Sequence, residues 1–157
     1  MSTREQSMSG LDTIGRLASL RQLLARFPMS VIQLGMRFGV GLVFFNAGLL
    51  KYNSFEFAVK LFEDVYKVSV LAPELAARLA MFNELTFSML LFLGLGTRLA
   101  TLPLLGMISV IQLFVYPTAW PDHLLWGSIL IFLLTRGAGP WSVDRAIGLE
   151  PADPTSR

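Results

Sequence analysis

The stretch MFNELTF, residues 81–87, sets a carboxylate, Glu84, beside an amide, Asn83, in the middle of an apolar run. A charge left alone at the centre of a bilayer costs roughly 3 to 17 kcal/mol, so Glu84 has to be paired or protonated. Such a carboxyl can exchange a proton or hydrogen-bond the oxygens of a bound ligand. On a helix it shares a face with Ala77, Ala80, Ser88 and Leu91, small neighbours that let another helix approach, so it is expected to point into a bundle. Asn46 and Gln112 fall at similar depth on other apolar stretches and, with Asn83, would form a polar layer around it. Arg37, about 10 Å in from the start of the first stretch at 1.5 Å per residue, is the expected partner. The blander role for that pair is an ion pair that only fixes helix register. His123, preceded by Pro121 and Asp122, is read as an interfacial residue, with proton exchange at the surface as the sharper alternative. Glu74 and Arg78, one turn apart, are expected to pair locally.

The elements that must position these groups are membrane helices. Of 157 residues 54% are apolar and 15% charged, against about 25% charged in soluble domains, and the mean hydropathy is +0.58. Apolar stretches at 29–50, 75–96, 99–116 and 121–136 predict an all-α, integral membrane four-helix bundle, because lipid offers backbone groups no partners outside a helix. A span needs roughly 20 residues; the last two stretches are short, and the fourth is expected to use Trp120 and Trp126 as interfacial anchors. On the first, Gly35, Gly39, Leu42 and Asn46 share one face and Arg37, Gly41, Phe44 and Gly48 the opposite one. Asn46 and Arg37 therefore cannot both face one neighbour: either this helix sits between two others or a glycine face meets another chain. GMRFG is a G-x-x-x-G match, weak support for the latter.

Arginines Arg4, Arg16, Arg21, Arg26, Arg98, Arg136, Arg145 and Arg157 would share one side, whereas Lys51, Lys60 and Lys67 on the other are offset by Glu56, Glu63 and Asp64. The positive-inside rule puts both termini in the cytoplasm. Residues 1–28 form an N-terminal segment in which Leu17, Leu20, Leu24 and Phe27 recur at helical spacing while Arg16, Arg21 and Arg26 project elsewhere, a helix suited to anionic cytoplasmic lipid. Residues 29–148 form the membrane domain and 149–157 a disordered tail. In SFEFAVKLFEDVYKV, residues Phe55, Ala58, Phe62 and Val65 make one apolar face, an interfacial helix that can also roof the bundle. With no cysteine and a single histidine, thiol relays, thiolate metal sites and a bis-histidine haem within one chain are excluded, and no metal or covalent haem is expected. A net charge of +2 spread through apolar segments gives no nucleic-acid surface.

GLLK at 48–51, the mid-span Glu84, GLGTR at 94–98 and GAGPWSVD at 137–144 together resemble the DoxX family of small bacterial membrane proteins, over about residues 31–148. The family is named for its similarity to a subunit of an archaeal thiosulfate:quinone oxidoreductase, and its wider superfamily reaches vitamin K-linked and cargo-receptor membrane proteins. The resemblance implies a multi-pass protein of the bacterial inner membrane and marks Arg37, Lys51, Glu84, Arg98 and Asp144. Local structural roles stand beside it: Lys51 snorkelling to the interface, Arg98 anchoring a turn, Asp144 opening one. Two functions follow. One is a redox accessory that binds a quinone or other lipophilic carrier through Arg37, Asn46, Asn83, Glu84 or Gln112, with Phe44, Phe45 and Phe87 against the ring; Lys51, Arg98, His123 and Asp144 are structural or interface residues. The other is a non-catalytic scaffold, chaperone or export factor. The expected partners are membrane lipid and either further copies of the chain or another protein, and no nucleic acid.

Overall fold

The computed structural model of the chain describes residues 19, 21–22, 25–66 and 71–150. Most of the amphipathic N-terminal segment, Lys67 and the tail from 151 lie outside them. The described chain is helical: α1 (Met29–Asn53), α2 (Phe55–Lys60) continued by a π-helical turn (Leu61–Tyr66), α3 (Pro73–Leu93), α4 (Thr97–Val110) continued by a second π-helical turn (Ile111–Val115), α5 (Trp120–Arg136) and the short α6 (Val143–Ala146). α1, α3 and α4 with its π turn are long and apolar enough to cross a membrane. α5 has 17 residues and packs on α4 and α1 to complete the bundle.

Local chemistry places the ends. Pro73 and Pro121 occupy first-turn positions, where proline loses no helical hydrogen bond. Gly94, at φ 66°, closes α3 in the left-handed conformation; the Leu95 N–H then bonds back to the Leu90 carbonyl, which satisfies a carbonyl the helix end leaves open. The core is Val40, Phe44, Leu91, Ala100, Leu104, Ile108, Leu130 and Leu133, drawn from α1, α3, α4 and α5.

α1 and α3 run antiparallel with a register fixed by two glycines. A Cβ on Gly41 would stand 2.6 Å from the Phe92 ring, and one on Gly48 would stand 2.8 Å from Leu85 Cγ and 3.1 Å from Glu84 Cβ. Gly48 is therefore level with Glu84, and Arg37 lies about 16 Å further along α1 at 1.5 Å per residue. The expected Arg37–Glu84 pair is corrected on that ground: a long side chain spans several ångströms, not that distance. The face carrying Arg37, Gly41, Phe44 and Gly48 is the buried one, as are Gln33 and Val40, whereas Leu42 and Asn46 are exposed and a Cβ on Gly35 or Gly39 would meet nothing within 4 Å.

Candidate functional site

Glu84 is 3% exposed, and its carboxylate receives Lys51, whose Nζ stands 2.7 Å from Oε1 and 2.8 Å from Oε2. Lys51 sits one turn beyond Gly48, so its stem turns back toward the carboxylate. The third hydrogen of its ammonium is directed at the Ala47 carbonyl, 3.5 Å away on its own helix. Snorkelling here runs inward, toward a buried anion, because the charge is better solvated by Glu84 than by the apolar surroundings.

Above this pair is a cavity of about 360 Å³. Its floor is Lys51, Glu84 and Asn83; its walls are Ala76 and Ala80 of α3 and Met107, Ile111 and Val115 of α4 and its π turn; Phe62 and Tyr66 of the first π turn roof it. Leu71, Leu79 and Val110 also line it and are 41%, 50% and 44% exposed, so the cavity opens at an exposed apolar surface between α3 and α4. A smaller cavity of about 170 Å³, lined by Ala47, Leu50 and Ala58 among others, lies beyond Phe62 and Tyr66 and shares Lys51 with the first. The roof face is Ala58, Phe62 and Tyr66 rather than one ending in Val65, which is 52% exposed: the wider π-helical turn makes the fourth residue, not the third, recur on the same side. Tyr66 meets Tyr116 edge to face at 6.1 Å between ring centres. Burial pushes its phenol up to about 12, and the Tyr116 hydroxyl and the charge of Glu84 act in the same direction.

Asn83 is turned toward α4, its amide nitrogen donating to the Pro103 carbonyl at 3.3 Å and to Met107 Sδ at 3.8 Å. Its Oδ1 is buried without a hydrogen-bond partner. Of the polar layer expected from the sequence only Asn83 and Glu84 line the cavity, and Lys51 joins them. Asn46 is exposed on the opposite face of α1. Gln112 is buried but turned toward α5, where its amide nitrogen donates to the Pro117 carbonyl (2.8 Å) and its oxygen accepts from Nδ1 of His123 (2.6 Å). His123, read as interfacial, is 7% exposed and tilted against Trp126; it and Gln112 fasten the turn between α4 and α5. Phe44, Phe45 and Phe87 do not line the cavity: Phe44 packs on Trp126, Phe45 on Phe92, and Phe87 against the core. Glu74 and Arg78 pair at 2.7 Å, as expected, and the Arg78 guanidinium also covers the Phe55 ring.

Arg37 serves the other end of the bundle. Its guanidinium donates to the carbonyls of Leu91 (3.0 Å), Phe92 (3.1 Å), Ala138 (3.0 Å) and Trp141 (2.7 Å), four of its five N–H donors. Leu91 and Phe92 end α3, where unpaired carbonyls and the negative end of the helix dipole attract a cation. Asp144 completes the same knot: its carboxylate accepts the N–H groups of Gly96 (2.6 Å) and Thr97 (2.9 Å), capping α4 from another part of the chain. A Cβ on Gly94 would stand 2.6 Å from Ser142 and 2.8 Å from Arg37 Nη1. Arg98 donates to the Leu134 and Thr135 carbonyls at the end of α5, and Glu150 accepts from the N–H groups of Ala138 and Gly139. GLGTR and GAGPWSVD are thus two halves of one clasp, in which Arg37, Arg98 and Asp144 hold backbone.

Tyr66 and Met107 were not singled out from the sequence as site residues. The signal for Tyr66 is its four-residue spacing from Phe62 and Ala58; Met107, one apolar residue among many on α4, carries none.

A family model described as DoxX matches residues 32–117, which span α1 to the end of α4 and hold the whole cavity but only the GLGTR half of the clasp. The chain is 34% identical over 146 residues to a protein described as an uncharacterized membrane protein of Mycobacterium tuberculosis, covering 81% of this chain and 86% of that one. It is 27% identical over 121 residues to an uncharacterized protein of Haemophilus influenzae, covering 71% of this chain and 80% of that one. No solved structure matches it.

Proposed function

The chain belongs to the DoxX family, and on that premise we propose that it holds a lipophilic carrier of the quinone class in the Glu84 cavity, as an accessory of a membrane redox system. One observation carries the reading: an apolar cavity of about 360 Å³ opening at an exposed apolar surface, with an ion pair and an amide at its floor. That volume lies in the range of small-molecule sites, roughly 300–1,000 Å³. The opening admits a molecule already dissolved in the bilayer, and the Lys51–Glu84 pair with Asn83 gives its polar head a polar floor. Phe62 and Tyr66 would cover the ring and Met107 would line its side. A bound quinone supplies two-electron chemistry coupled to proton uptake; the chain's part is to bind the head, exclude water from it and keep Glu84 where a proton can be exchanged. Electrons come from a partner, because this chain has no cysteine and one histidine.

The setting is the bacterial inner membrane with the Arg37 end in the cytoplasm, supported by the arginines gathered there. A scaffold for a second chain is the competing reading, favoured by the free face of α1, where Gly35 and Gly39 have room and Asn46 is exposed. Native mass spectrometry of the chain gently extracted from its own membrane separates the two. A quinone-sized adduct that disappears in Val110→Trp, which fills the mouth, and in Glu84→Gln supports the carrier site. A bare oligomer or a stable protein partner with no such adduct replaces it with the scaffold.

A further inference from the structure

We infer that the chain pairs with a second copy of itself through the free face of α1, about a two-fold axis along the membrane normal, with Asn46 bonded to its own counterpart. The inference is independent of the carrier reading and starts from one amide. Gly48 is level with Glu84, in the middle of α3, so Asn46, two residues away, lies within about 3 Å of mid-span depth at 1.5 Å per residue. It is exposed on the face of α1 turned away from the bundle and has no hydrogen bond among the described residues. The exposed hydroxyls of the neighbouring helices behave differently: Ser109 and Ser128 donate to the Leu105 and Leu125 carbonyls of their own turns. Lipid offers the Asn46 amide neither donor nor acceptor, so its partner has to come from another chain.

The surface around that amide fits one occupant. Ile32, Gly35, Gly39, Leu42, Asn46 and Leu49 follow one another at alternating steps of three and four residues, the spacing of a seam between two helices crossing at a small angle. The first five are exposed. Gly41 and Gly48 are spent on α3, whereas a Cβ on Gly35 or Gly39 would meet nothing within 4 Å, which leaves room for a second backbone to approach. Copies inserted alike in one membrane share an orientation, so a two-fold axis sets one α1 parallel to the other with like residue against like. A charge in that position would repel itself. A carboxamide carries both donor and acceptor, so Asn46 is complementary to its own copy, at the seam position where a single asparagine fixes the register of a parallel helix pair. A different protein would need a matching amide at the same depth; a second copy has one by construction. No residue of the seam lines the larger cavity, so its mouth stays open in both copies.

The test uses the full chain in lipid vesicles, with Ile147→Cys carrying a donor dye on some copies and an acceptor dye on others, and energy transfer read as lipid is added. Transfer that falls with dilution is expected, and Asn46→Leu is expected to move its midpoint about tenfold toward higher protein-to-lipid ratio, the scale of one amide contact between membrane helices. Asn46 makes no bond within its own bundle, so this variant is expected to fold. Oxidative cross-linking then locates the seam in a chain that has no cysteine of its own: Leu42→Cys is expected to give a dimer, and Leu102→Cys, on the exposed side of α4, is not. Transfer absent at every ratio overturns the pairing and leaves the carrier reading standing. A dimer unmoved by Asn46→Leu, or joined at Leu102→Cys and not at Leu42→Cys, places the second copy elsewhere and overturns the inference. A chain that is monomeric in vesicles but cross-links through Leu42→Cys to a different protein in its own membrane gives the face to that protein and overturns it too.

Discussion

Lys51 and Glu84 meet where neither could stand alone. The lysine side chain is 15% exposed and the carboxylate 4%, so each charge depends on the other for the solvation that water would have supplied. Removing one partner therefore costs more than removing both. Glu84→Gln leaves an ammonium facing an amide among apolar side chains and is expected to cost about 3 kcal/mol, the lower end for a broken buried pair because Lys51 keeps some access. The Lys51→Met, Glu84→Met double variant replaces both with apolar groups of similar volume and is expected to lie within about 1 kcal/mol of the parent. Reversible unfolding of the parent, Glu84→Gln and the double variant in mixed micelles measures both. A single variant as stable as the parent would mean that the pair does not hold the fold. The comparison also parts stability from function: a double variant that folds but no longer holds a carrier places the pair in the site, whereas one that folds and still holds it leaves the charges a structural role.

At the scale of elements, the clasp shows what helix ends need when lipid supplies nothing. α3 ends and α4 begins within the few residues of GLGTR, so open carbonyls and open N–H groups face the same small space. Arg37 and Asp144 answer them with a cation on the carbonyl end and an anion on the N–H end, the signs the helix dipoles favour. Asp144→Asn keeps one acceptor and turns the amide nitrogen toward an N–H of Gly96 or Thr97; the expected loss is about 1–2 kcal/mol, the worth of a charged cap, seen as a lower unfolding midpoint with the cavity unchanged. A midpoint equal to the parent's would mean that the cap contributes nothing. Much of this architecture was legible in the sequence. The helices follow from apolar stretches, Glu84 from an ionisable residue among them, and the Arg37–Gly41–Phe44–Gly48 face from helical spacing. Register was not. It depends on which glycine meets which side chain across α1 and α3, a contact of two faces that neither face reveals alone, and the assignment of Glu84 to Arg37 instead of Lys51 followed from that. The roof was legible as an amphipathic face but not in its final turn, since a π-helical turn changes the spacing by one residue and so replaces Val65 with Tyr66. Gln112 misled for a related reason: depth along the chain says nothing of which way a side chain turns, and it turned to Pro117 and His123.

For the whole molecule, the number of crossings rests on α5. Its 17 residues rise about 26 Å at 1.5 Å each, a little short of a hydrocarbon core of about 30 Å. Exposed tryptophans flank it, Trp120 at its start and Trp141 just beyond its end, as anchors at the two interfaces would. If it crosses, Arg26, Arg98, Arg136 and Arg145 lie on one side, while the other carries Glu56, Glu63, Asp64 and Asp122 beside Lys60 and the Glu74–Arg78 pair. The arginine side is then expected in the cytoplasm. Because the chain has no cysteine, single cysteines report this cleanly. Glu63→Cys in the first π turn and Thr118→Cys between α4 and α5 are expected to react with a membrane-impermeant maleimide in cells whose inner membrane is intact. Ile147→Cys, exposed beyond α6, is expected to react only once that membrane is opened. All three labelled from outside would leave three crossings, with α5 folded back rather than spanning. Ile147→Cys labelled alone would invert the molecule and turn the cavity, which lies near the Glu63 end, toward the cytoplasmic leaflet. The expected pattern instead sets the Lys51–Glu84 pair toward the outer leaflet, where a carrier entering between α3 and α4 would arrive from that half of the bilayer.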